Sequence, residues 1–148
     1  MTRTRDFVTN RLPVALYCLV GLGYLVQGIR YIVAAQLMPY HMAVLDAPWS
    51  SLGGGYQTLF LGLLKGFGAG AFGVGLAIIL MALFPLRTGN GWARWATPVV
   101  AVLYTGALVY VTSFALLPGA TPIAVASTLH GIVIVAAVCS LFGDSAKN

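Results

Sequence analysis

Apolar positions in this chain neither alternate nor recur on one helical stripe; they run on without a break. One run extends from about Leu12 to Met38, a second from about Tyr56 to Phe84, a third from about Pro98 to Leu117 and a fourth from about Pro122 to Phe142. Each reaches the ~20 residues that an α-helix needs to cross a hydrocarbon core. Proline punctuates them: Pro39, Pro85 and the pair Pro118-Gly119 follow the first three runs, and Pro98 and Pro122 open the last two. Lipid leaves no backbone donor or acceptor a solvent partner, so such segments must satisfy themselves as helices, and no ten-residue alternation suggests a barrel strand. The pattern predicts an all-α membrane protein, a four-transmembrane-helix bundle forming one domain over residues 1–148. Between the first two helices, Gly53-Gly54-Gly55 reads as a flexible joint in a loop.

Composition sharpens this picture. Charged residues are 7% of the chain and hydrophobic ones 59%, where a soluble domain carries about 25% charge. A net charge of +5 raises nucleic acid as a partner, but the basic residues are scattered at segment ends, which excludes a binding face and points to topology. Arg3, Arg5 and Arg11 precede the first run, Arg87 and Arg94 separate the second from the third, and Lys147 follows the fourth. The loop from Pro39 to Gly55 holds only Asp46, and the turn from Pro118 to Pro122 holds no charge. The positive-inside rule then predicts both termini in the cytoplasm, with Trp92 and Trp95 anchoring that interface and Trp49 the opposite one. The Arg-rich start followed by Val33-Ala34-Ala35 is also compatible with a cleaved signal peptide; the length of the apolar run and the interruption by Arg30 favour a retained helix. Cys18 and Cys139 each fall within a span, with no CxxC spacing, and are expected to be buried, unpaired thiols.

Small residues predict how the helices meet. Gly62, Gly66, Gly70 and Gly73 follow one another at spacings of four, four and three, continuing to Ala77. This is the pattern that lets two backbones approach closely in lipid, so Gly66 and Gly70 are expected to touch a neighbouring helix. Gly68 and Gly75 form a second line with Lys65 and Phe72, and glycine on two faces predicts a central helix packed on both. In the first run Tyr17, Gly21, Tyr24, Gly28 and Tyr31 form a heptad seam of large and small residues suited to that helix.

Ionisable groups inside spans are rare and draw functional interest. Arg30 lies about 27 Å from Leu12 and Lys65 about 28 Å from Phe84 at ~1.5 Å per residue, which puts both at the outer edge of the bilayer core. They either snorkel to the interface or converge on an outer-leaflet cavity for an anionic headgroup or carboxylate. The second reading places His130 and Tyr24 on the floor of that cavity. His130, about 18 Å from Phe142 by the same count, is expected to bond to a tyrosine or to Ser127. No nucleophile–base–acid set surrounds it, so catalysis has no support. Met38, His41 and Met42 could ligate copper, but three such residues occur readily by chance; no metal and no cofactor are assigned.

The segment Leu63-Leu64-Lys65 with its following glycines, then Pro85-Leu86-Arg87 and Trp92-Ala93-Arg94-Trp95-Ala96 with Pro98, resembles small four-helix bacterial membrane proteins, broadly the DoxX-like group. The likeness covers about the middle third of the chain. It implies a four-helix bundle in a bacterial inner membrane and carries over no catalytic residue.

Three functional readings follow. The leading one is a non-enzymatic membrane protein acting through helix packing, as a homo-oligomer or the accessory subunit of a membrane-protein partner, with membrane lipid around it. The second is a small oligomeric transporter or channel binding an anionic or amphipathic molecule or lipid in the outer leaflet. Proton-coupled cation export is disfavoured because no span holds a carboxylate. The third is a quinone-handling or other membrane-enzyme subunit using His130, though haem ligation across a bundle ordinarily takes paired histidines.

Overall fold

The computed structural model describes residues 11–116 and 120–142. Five α-helices make up the described chain: α1 Leu12–Ile32, α2 Pro39–Leu45, α3 Gly54–Met81, α4 Ala93–Ala115 and α5 Thr121–Phe142. α3 runs on through a wide π-turn, Ala82–Leu86. No strand occurs among the described residues, and α1, α3 (with its π-turn), α4 and α5 are each long and apolar enough to cross a membrane. The chain is a multi-pass, all-helical membrane protein.

The expected bounds need correction. The first span ends at Ile32 rather than Met38, and Pro39 opens α2. α3 begins at Gly54, so Gly54 and Gly55 sit in its first turn instead of forming a joint. Pro98 lies inside α4, which starts five residues earlier at Ala93. The expected stop at Pro118-Gly119, the end of the third span at Leu117, and Arg3, Arg5 and Lys147 lie outside the described residues. Pro85 does not end its helix but sits within the π-turn. Proline has no N–H to continue an α-helical ladder, and the wider turn takes over: Arg87 donates its backbone N–H to Ala82 O at 3.0 Å and Asn90 donates to Pro85 O at 2.9 Å. Gly89, at φ +77°, then reverses the chain into α4.

α1 is the helix at the centre of the arrangement, packed against α3 on one side and α5 on another, while α5 also pairs with α4. The core lies along this axis, with Tyr17, Val20, Tyr24, Ile78, Ala101 and Val133 buried in it. The α1–α3 contact is built on glycine. A Cβ added to Gly21 would stand 2.7 Å from Gly75 O, and one added to Gly28 would stand 2.7 Å from Gly68 O. In the reverse direction, a Cβ on Gly68 would meet Gly28 O at 2.9 Å and one on Gly75 would meet Gly21 O at 2.7 Å. The helices run antiparallel with Gly21 facing Gly75 and Gly28 facing Gly68, and the backbones touch at both crossings. Tyr24 and Tyr31 of the heptad seam close over the same glycines, their Cβ atoms 2.9 Å and 2.8 Å from where Cβ atoms on Gly75 and Gly68 would stand.

At the end of the bundle opposite Arg11, Arg87 and Arg94, α2 and the short turn Trp49–Ser51 form a cap. Tyr31, Leu37 and Leu64 are buried beneath Met38, Met42, Leu45 and Trp49. Gln57 on α3 holds the cap by donating from Nε2 to Trp49 O at 2.9 Å and to Leu52 O at 3.0 Å.

Candidate functional site

The structure divides the glycines of α3 differently from expectation. Gly62, Gly66, Gly70 and Gly73 have nothing within 4 Å of where a Cβ would stand. The line that packs is Gly68 and Gly75. At ~100° per residue, the stripe lies on the side of α3 opposite Gly68 and Gly75. The expectations that Gly66 and Gly70 touch a neighbouring helix, and that α3 is packed on two faces, are therefore corrected for the single chain. α3 packs along one face on α1, and its stripe of small residues is turned outward. Both lines share the small-residue spacing of backbone contact; what separates them is which one meets the seam of α1.

The two cations stand at one level but apart. In the α1–α3 register Arg30 is level with Gly66, one residue from Lys65, so the expected common depth holds. Arg30 follows Gly28 by two residues and is turned about 160° away from the α3-facing side, and both cations are exposed. Arg30 is thus directed away from the face of α1 that meets α3, the helix carrying Lys65. Their placement is that of side chains directed to an interface.

Tyr24 and His130 lie deeper and are linked through α4. Tyr24 is buried, its ring edge-on to that of Tyr104 with centroids 5.0 Å apart and an interplanar angle of 85°. The next residue, Thr105, is fully buried and meets His130 Nδ1 at 2.7 Å. Thr105 Oγ1 also donates to Ala101 O at 2.8 Å. The partner of His130 is thus threonine, not the tyrosine or Ser127 expected. Tyr24, Thr105 and His130 each stand twelve residues from the Arg-bearing end of their helix, about 18 Å at ~1.5 Å per residue. Thr105 was not legible as a partner because a threonine in a helix ordinarily bonds back to its own i−4 carbonyl; here its hydroxyl meets both that carbonyl and His130.

The cap carries a second polar group that sequence reading left as a loop. The Tyr31 and Tyr40 hydroxyls hydrogen-bond each other at 2.6 Å. The His41 ring stands edge-on to Tyr40 at 4.4 Å and 6.1 Å from Tyr31. Its Nδ1 is buried with no partner among the described residues, and burial lowers the imidazole pKa below its ordinary value. Cys18 and Cys139 are free and half-buried. No cluster of three or more His, Cys, Asp or Glu occurs among the described residues.

No family model, curated protein or solved structure matches the chain.

Proposed function

We propose that this is a non-enzymatic membrane protein that works by helix association, forming a homo-oligomer through the outward face of α3. The observation that carries this reading is the unfilled stripe Gly62, Gly66, Gly70 and Gly73. In lipid, close backbone approach is a principal source of helix–helix affinity, and small residues spaced by four are the surface that permits it. The chain already uses close glycine contact once, between α1 and α3. A second copy is the occupant favoured here, because a two-fold interface joins a patch to itself. A smooth, uncharged glycine groove is complementary to its own copy, whereas a patch bearing knobs or charge is not. Two copies inserted the same way would bring their α3 helices together in parallel.

The DoxX-like resemblance and the basic residues at one end fit a bacterial inner membrane with that end in the cytoplasm. The transporter reading required Arg30 and Lys65 on one cavity wall, and their directions do not favour it. Native mass spectrometry from mild detergent tests the proposal. Wild type should fly as an oligomer, and Gly70→Leu should fly as a monomer that keeps its helical circular-dichroism signal. A monomeric wild type, or an intact Gly70→Leu oligomer, would remove the α3 face from the account.

A further inference from the structure

Three hydroxyls in the core lack partners. Tyr17 Oη, Tyr24 Oη and Thr97 Oγ1 are buried and hydrogen-bond to nothing among the described residues. Their residues are 0%, 1% and 0% exposed. Within a bilayer such a group has no solvent to turn to, and native proteins leave few of them unsatisfied.

These atoms are not scattered. α1 and α4 run in the same direction, since α1 is antiparallel to α3 and each following span returns through a short connection. Tyr24 and Tyr104 meet ring to ring, and they stand twelve and eleven residues from the Arg-bearing ends of α1 and α4. Tyr17 and Thr97 stand five and four residues in by the same count, at one level and one heptad nearer the Arg-bearing end. Ser140 of α5 approaches the Tyr17 hydroxyl at that layer, in a geometry that closes no hydrogen bond. Its own proton goes to Ala137 O at 3.0 Å, which leaves Ser140 Oγ able to accept. Helical side chains lean toward their N-terminus, so the hydroxyls of both tyrosines descend from their Cα atoms toward the Arg-bearing end.

We propose that this layer is a binding site for water, with bound molecules bridging Tyr17, Thr97 and Ser140 and continuing inward to Tyr24. Water is the chemistry the site asks for: the two unpartnered hydroxyls can donate, Ser140 can accept, and none of the three is charged. A buried water needs two to four polar partners, and this layer offers three. The bundle then holds a hydrated polar layer in its Arg-bearing third, separate from the outward α3 face.

Water-edited solid-state NMR of labelled protein in lipid reads this directly. Water magnetisation should reach Thr97 and Tyr17 as quickly as it reaches the loop at Thr88–Gly91, and far faster than it reaches Val133 in the apolar core. The variants Tyr17→Phe and Thr97→Val supply an independent sign. Bound water that loses a partner lowers the melting temperature, whereas deletion of a hydroxyl with no partner raises it or leaves it unchanged. Transfer at Thr97 as slow as at Val133, or a melting temperature that does not fall in either variant, overturns the proposal.

Discussion

A single methyl group separates the two kinds of glycine in α3. At Gly75 a Cβ would lie 2.7 Å from the Gly21 carbonyl oxygen and at Gly68 it would lie 2.9 Å from that of Gly28, whereas at Gly66 and Gly70 it would meet nothing. Backbone is the neighbour least able to give way, so Gly75→Ala is expected to push α1 and α3 apart at a cost of about 1–3 kcal/mol, the range for overpacked cores. Gly70→Ala should cost the single chain nothing. Thermal denaturation of the two variants in detergent, at matched oligomeric state, measures the difference. Equal melting temperatures would mean that the interlocked register is wrong. The sequence made both glycine lines visible, but regular small-residue spacing states only that a face is small, not which neighbour meets it. The heptad seam of Tyr17, Gly21, Tyr24, Gly28 and Tyr31 was legible because large and small residues alternate on one face. Thr97 and Thr105 drew no attention, since their roles depend on register between helices distant in sequence.

At the scale of elements, four spans were legible because an apolar run of about 20 residues with almost no charge suits lipid far better than water. Boundaries were read less well, and the reasons are particular. Pro39 stops no helix but starts one, a position where its missing N–H costs nothing, and Pro85 is absorbed by a π-turn. The seven residues of α2 look like a loop because they are too few to show a helical period. The structure makes them a cap whose His41 side chain is half-buried, which gives the cap a pH dependence. Burial holds the folded imidazole below its ordinary 6.5, so the undocked cap binds a proton more readily than the docked one. Docking is therefore complete above about pH 6.5 and weakens as pH falls below it. Hydrogen exchange across Pro39–Leu45, corrected for its intrinsic pH dependence, should quicken on acidification in wild type and not in His41→Phe. The same acceleration in both proteins would assign the effect to another group.

For the whole molecule, the arrangement of helices sets the direction of the two cations. Depth along a helix can be counted from sequence, and the common level of Arg30 and Lys65 was obtained that way. Direction around the helix depends on which face packs, and the α1–α3 register turns Arg30 outward. The exposed surface of α3 includes the glycine stripe, and the proposed function rests on a second copy of the chain packing there. Disulfide trapping in the native membrane tests this most directly. With Cys18 and Cys139 replaced by Ala, single cysteines are placed in turn at Gly62, Gly66, Gly70, Gly73 and the intervening positions, and mild oxidant is applied. Association through the groove predicts dimers that peak at the four glycine positions and fall away at Ala71 and Phe72, which lie off the stripe. Uniform or absent cross-linking along α3 would contradict it.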